Sequence, residues 1–195
     1  MEVKHENTLY PVFLKLQRLR LLIVGGGAVA REKLHFIIKS SPDAHITVMA
    51  PEIDEAILDI FIKHTFQINL IHERFDPYLL PHFDLVIAAT NDCTVNHQIH
   101  QACKSAGILI NVADTPDLCD FYLGSIVTRG NLKIAVSTNG KSPTFAKRFR
   151  QLLEDALPEE VDGLLTNLRT LRDRLQGGFS EKVTYLNEVT KSLIS

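Results

Sequence analysis

Leu21–Leu22–Ile23–Val24–Gly25–Gly26–Gly27–Ala28–Val29–Ala30 is the stretch whose reading decides the fold. Four apolar residues without helical period, stopped by glycine, read as a buried parallel strand. The apolar-periodic segment that follows, Ala28 to Ile38, reads as a helix. Strand, glycine turn and helix is the setting that gives meaning to a G-x-G-x-x-G/A match, here Gly25-x-Gly27-x-x-Ala30. Each residue type has a task. Gly25 allows a tight turn, Gly27 lets a pyrophosphate approach the backbone, and small Ala30 lets helix and strand pack closely. Unpaired N–H groups and the positive dipole end at the helix start suit phosphate. A glycine-rich β–α turn without a ligand is the competing reading. The position on the first strand of an α/β pattern favours a dinucleotide.

That pattern continues outward. Ser40–Ser41–Pro42–Asp43 is a turn, and β-branched, apolar His45–Ile46–Thr47–Val48–Met49–Ala50 is a second strand. Pro51 ends it, and Glu52 to Lys63 returns to helical spacing. Phe66 to Ile71 reads as a third strand, and Asp76–Pro77 and Pro81 bracket an irregular crossover. Leu85–Val86–Ile87–Ala88–Ala89 is a fourth buried strand. Thr94 to Ala106 is a helix capped by Gly107, and Ile108 to Val112 a fifth strand. Alternating strands and helices predict an α/β fold, a Rossmann-like parallel sheet with right-handed crossovers and helices on both faces.

Past Asp114 the pattern changes. Tyr122 to Thr128 and Leu132 to Thr138 read as a hairpin around Arg129–Gly130–Asn131. Ser142 and Pro143 supply an N-cap and a first-turn proline for a helix running to Leu157. A second leucine stripe from Leu164 is halted by Gly177–Gly178, and Tyr185 to Ile194 is a last helical piece. The expected organisation is a nucleotide domain over 1–114, an appended β-hairpin region over 115–142 and a C-terminal helical domain over 143–195. The tail has too few apolar residues for its own core, so it is expected to pack on the sheet domain or on a second subunit.

The 195 residues are 45% hydrophobic and 23% charged, enough for a sizeable core. A net charge of −2 points to no nucleic acid and no anionic membrane surface. No apolar run approaches a bilayer span, and Met1 to Lys15 has no signal-peptide core. Three cysteines without framework spacing fit a reducing, cytoplasmic setting.

In such sheets ligands sit outside the carboxyl ends of the strands. There the chain places Gly25 to Val29, then Ala50, Pro51 and Glu52, then Thr90, Asn91 and Asp92, and finally Asp114. The acidic residue that binds ribose hydroxyls usually follows the second strand directly; here Met49 and Ala50 stand there, with Glu52 just beyond. No Arg or Lys at that tip meets a 2′-phosphate, which favours NAD over NADP. Asp114 has two readings: a general base whose pKa partial desolvation raises, or the opening of an Asx turn. Cys93, His97, His100 and Cys103 look like metal ligands on paper. At about 100° per residue, however, Val95, Ile99, Ala102 and Ala106 set the buried face and His97 lies roughly opposite, so no metal site is expected. Lys147, Arg148 and Arg150 read as a solvated helix face or as attraction for a polycarboxylate.

Five ordered motifs, Leu9–Tyr10–Pro11–Val12–Phe13, Val24 to Ala30, Ala88–Ala89–Thr90–Asn91–Asp92, Asn111–Val112–Ala113–Asp114 and Ser137–Thr138–Asn139–Gly140–Lys141–Ser142–Pro143, resemble the precorrin-2 dehydrogenase family, the module found alone or at the front of sirohaem synthase. The resemblance covers nearly the whole chain. It implies NAD⁺-dependent oxidation of precorrin-2 to sirohydrochlorin, with Asp114 as the catalytic aspartate. It puts nucleotide contacts on Gly25, Gly26, Gly27, Ala28, Val29, Pro51, Glu52, Thr90 and Asn91. It also implies an intertwined homodimer joined through the hairpin and helical region. Precorrin-2 carries many carboxylates, so Lys141 and Ser142, at the start of the Pro143 helix, are candidate substrate-binding residues. Some members also insert Fe²⁺, so a bifunctional dehydrogenase and ferrochelatase is an alternative; a non-catalytic nucleotide-sensing module is another. The chain ends before any appended methyltransferase domain, so that step is expected to be absent.

Overall fold

The computed structural model describes residues 7–191. Five strands, β1 (Arg20–Val24), β2 (His45–Met49), β3 (Ile68–Ile71), β4 (Leu85–Ala88) and β5 (Leu109–Val112), form one sheet in the order β3-β2-β1-β4-β5. Every neighbouring pair in it is parallel. Helices α1 (Ala28–Ser40), α2 (Glu55–Lys63) and α3 (Cys93–Ala106) alternate with the strands.

The pleat sorts side chains to two faces. Leu21 and Ile23 pack with Leu34, Ile37 and Ile57, on the α1 and α2 side. Leu22 and Val24 pack with Val86, Ile99 and Cys103, on the α3 side. Helix α1 buries Ala30, Leu34, Ile37 and Ile38, the spacing of one helical face. Each fully buried Leu or Ile contributes about 1.5–3 kcal/mol, so the two filled faces are the main apolar support of the sheet. The winding reverses between β1 and β4, and the carboxyl ends of those strands form the crevice that ligands of such sheets occupy.

The crossover read as irregular, between β3 and β4, contains a 3-10 helix, Pro77–His82, opened by Asp76, whose Oδ1 accepts the Tyr78 N–H at 2.9 Å. The buried face of α3 is centred on Asn96, Ile99 and Cys103, while Ala106, expected inside, is exposed.

Strand β5 is one of the sheet's two outer strands, and returning chain covers its free edge. The Asp120 N–H donates to the Ile110 carbonyl at 2.8 Å, and the Asp120 carboxylate accepts the Ile110 N–H at 3.1 Å. Lys104 Nζ holds the same carboxylate at 2.7 Å, and Asn111 Nδ2 donates to the Phe121 carbonyl at 2.8 Å.

The contacts divide the chain into two units. The sheet unit runs to Leu123 and includes Asn139–Lys141; the second takes Gly124–Thr138 and the chain from Ser142. In the second, β6 (Ser125–Arg129) and β7 (Leu132–Val136) form an antiparallel hairpin, both strands shorter than the sequence suggests. Helices α4 (Pro143–Ala156), α5 (Val161–Arg174) and α6 (Phe179–Val189) follow. Asp162, in the first turn of α5, accepts the Asn131 N–H at 2.6 Å and so holds the hairpin turn. Helix α6 begins six residues before the expected Tyr185 because Gly178, read as a stop, is its N-cap: the Gly178 N–H meets Glu181 Oε2 at 2.9 Å. The expected end of that helix, 192–194, lies outside the described residues. No described helix is long and apolar enough to cross a membrane.

Candidate active site

The three glycines of the β1–α1 turn have different reasons. Gly25 has φ +133°, and a side chain there would collide with the Ala89 carbonyl. At Gly26 a side chain would meet the Glu52 carbonyl and the Ala50 methyl. Both are required by packing alone. Gly27 has ordinary extended angles, φ −101° and ψ −163°, and a Cβ there would find nothing within 4 Å. The fold does not need a glycine at 27, so the open space above it is a cradle that a ligand can enter. The turn is fixed around that space: Gly25 N–H donates to the Met49 carbonyl at 2.9 Å, and Asp54 N–H to the Gly26 carbonyl at 2.8 Å. At the start of α1 the N–H groups of Ala28, Val29 and Ala30 have no carbonyl of their own helix to bond. These residues fit a dinucleotide pyrophosphate.

Pro51 and Glu52 are exposed at the tip of β2. Just beyond, Asp54 caps α2, Oδ1 accepting the Ala56 N–H at 2.8 Å, while Oδ2 lies 3.5 Å from Arg31 Nη1. The sequence reading found no cation at this tip, but α1 carries Arg31 to it, already paired with Asp54. A groove of about 580 Å³ runs on from Ala28 and Val29 past Arg31 and Glu32 to His35.

The β4–α3 turn is built by a residue that the sequence reading missed. Buried Asn96 accepts the Thr90 hydroxyl at 2.7 Å and donates from Nδ2 to the Thr90 carbonyl at 3.1 Å. Asp92 closes the same turn as the α3 N-cap, Oδ1 accepting the Thr94 N–H at 2.8 Å. A polar residue at a buried helical position was the available signal.

Asp114 follows β5 with φ +57°, a left-handed conformation sparsely populated by residues other than glycine. It is exposed, so the desolvation expected there is not supplied by this chain. Its carboxylate takes no hydrogen bond or ion pair among the described residues, so no Asx turn forms; the turn closes instead through Thr115 N–H to the Val112 carbonyl at 3.3 Å. Asp114 projects a free carboxylate at the carboxyl edge of the sheet. Of the paper metal set, Cys93 and His97 are exposed and Cys103 is buried, and no described group of three acidic, His or Cys residues could hold a metal ion. Burial pushes the Cys103 thiol up to about 12, with the nearby Asp120 charge adding to it.

Lys141 is exposed. Ser142 caps α4 through Oγ and the Phe145 N–H at 3.2 Å, after a turn in which Asn139 and Gly140 have φ +53° and +75°.

A family model described as "Putative NAD(P)-binding" matches residues 12–125, the five-stranded sheet with its turns. The chain belongs to this NAD(P)-binding family. A second model, "Sirohaem biosynthesis protein central", matches residues 129–156 of this NAD(P)-binding chain. A "Siroheme synthase" of Psychrobacter sp. (strain PRwf-1) is 37% identical over 86% of the chain and 34% of its own length. That of Nitrosomonas europaea is 36% identical over 87% and 35%. The chain thus spans about a third of the length of these curated relatives. A solved structure titled "SirC, precorrin-2 dehydrogenase" superposes with a TM-score of 0.74 at 28% identity, covering 93% of this chain and 89% of the other.

Proposed function

We propose that this chain is an NAD-dependent precorrin-2 dehydrogenase that makes sirohydrochlorin. The observation that carries the proposal is that an open cradle at Gly27 and a free carboxylate at Asp114 stand on one edge of one sheet. They end β1 and β5, two strand spacings apart across β4, or about 10 Å. A dinucleotide anchored by its pyrophosphate at β1 reaches that far with its nicotinamide. The relatives and the solved neighbour are named for sirohaem synthesis and for precorrin-2 oxidation, which supports the substrate.

NAD⁺, when bound, supplies the hydride acceptor. The chain supplies the rest. The N–H groups at the start of α1 would hold the pyrophosphate, the Pro51–Glu52 tip would meet the adenosine ribose, and the Thr90–Asn91 turn would contact the dinucleotide. Arg31 stands 3.5 Å from the Asp54 carboxylate, which offsets its charge at this tip and is in keeping with NAD. Asp114 takes the proton that must leave the tetrapyrrole and stabilises the positive charge that develops as hydride departs. Lys141, Ser142 and the start of α4 meet substrate carboxylates; Lys141→Glu is expected to raise the KM for precorrin-2 more than it weakens NAD⁺ binding, as steady-state kinetics will report.

Within the proposal, 1–114 binds nucleotide, 115–142 is the hairpin region that joins two copies, and 143–195 is a helical C-terminal domain. Helix α4 leaves Phe145, Phe149 and Leu152 exposed, the first two with rings stacked at 5.9 Å, an apolar stripe that suits a two-fold interface. Sedimentation at micromolar concentration is expected to give a dimer, and a monomer there would remove this part. Three free cysteines fit a reducing cytoplasm.

The test is anaerobic incubation with precorrin-2 and NAD⁺. NADH and sirohydrochlorin are expected in equal amounts. NAD⁺ binding without turnover would replace the enzyme by a nucleotide sensor.

A further inference from the structure

Cys119 is bonded to the backbone on both sides of Asp114. Its Sγ accepts the Val112 N–H at 3.2 Å, and its single S–H is within donating reach of two carbonyls, Val112 at 3.2 Å and Thr115 at 3.4 Å. Asn111 Nδ2 lies 3.4 Å from the same sulfur. One thiol therefore spans the turn whose exposed residue, Asp114, sits at φ +57°. Aspartate enters the left-handed region more readily than most side chains, yet the extended forms remain favoured, so the surroundings must select it here. No hydrogen bond or ion pair of the Asp114 side chain does so among the described residues. The restraint comes from its flanks.

We propose that Cys119 is the positioning residue for Asp114, fixing the turn so that the carboxylate faces the cofactor edge. The proposal rests on the reading of Asp114 as the base. Two further features suit the role. A thiol must be protonated to donate to a carbonyl, and burial pushes the Cys119 thiol up, so it keeps its proton at neutral pH. The segment carrying Cys119 is itself pinned to β5 by the Asp120 and Phe121 bonds, so the sulfur is presented from a fixed place.

The role is separable from mere packing. Alanine at 119 removes both donor and acceptor; serine retains both on a shorter bond. In Cys119→Ala, kcat for NADH formation is expected to fall by about 10²-fold, the cost of misplacing a reacting group by about 1 Å. NAD⁺ affinity, which reports the β1, β2 and β4 turns, is expected to stay at the wild-type value. Cys119→Ser is expected to recover most of the lost kcat. A double-mutant cycle decides the matter. If Cys119 acts through Asp114, adding Cys119→Ala to Asp114→Asn costs nothing further. Wild-type kcat in Cys119→Ala, or losses that multiply in the double variant, would overturn the positioning role while leaving the base intact. An active Asp114→Asn would instead remove the base, and the target of Cys119 with it.

Discussion

Asp114→Asn is expected to lower kcat for NADH formation by about 10²–10⁴-fold, the usual worth of a general base. KM, NAD⁺ affinity and Tm are expected to stay close to wild type. Asparagine tolerates the left-handed region as well as aspartate does, so φ +57° needs no change. The amide is nearly isosteric, and the exposed carboxylate gives up no hydrogen bond among the described residues. Only the capacity to take a proton is lost. A wild-type rate in the folded variant would end the assignment. If Fe²⁺ insertion into sirohydrochlorin is also observed, a parallel fall would place both reactions at this carboxylate, and an intact rate would place insertion elsewhere.

Gly27→Val is expected to separate folding from cofactor binding. A Cβ at 27 meets nothing within 4 Å, and valine adopts the extended angles found there. The fold should survive with a cost of about 1 kcal/mol for a poorer N-cap on α1. The branched side chain then fills the space through which a pyrophosphate reaches the N–H groups of α1. Loss of even one hydrogen bond to charged phosphate, about 1.5–3 kcal/mol, weakens NAD⁺ by about 10–100-fold. Calorimetric titration with NAD⁺ checks this, and unchanged affinity would remove the site from this turn. The contrast is Gly25→Ala, where collision with the Ala89 carbonyl and φ +133° predict a fall in Tm whether or not NAD⁺ is present.

The parallel sheet was legible because its signals are local. A four-residue apolar run, a glycine turn and a 3.6-residue period each lie within one window, and β1 and α1 appeared where those signals stood. The residues that build the site from a distance were not. Arg31 and Asp54 meet across two helices, and Cys119 reaches Val112 only after the chain has turned back along β5. Asn96 carried a weak signal, a polar side chain on the buried stripe of α3, but its partner Thr90 is identified only by the turn it holds. The G-x-G pattern gives Gly26 no packing task; the Glu52 carbonyl and the Ala50 methyl against it supply one. Asp114 was placed correctly at the end of β5, yet its exposure and left-handed angle depend on the loop that follows. Gly178 misled because one residue type both stops a helix and starts one.

The segment from Leu118 to Phe121 does more than carry Cys119. An outer strand of a parallel sheet offers a row of unpaired N–H and C=O groups, and an apolar one is a template for another chain to pair with. Leu109–Val112 would be such a strand, but Asp120 takes both polar groups of Ile110 and Cys119 takes those of Val112. The loop that shapes the turn around Asp114 is thus also the seal on the sheet's adhesive rim. With Asp114 as the proposed base, damage or proteolytic nicking that lifts this loop is expected to lower activity and uncover an aggregation edge in the same event.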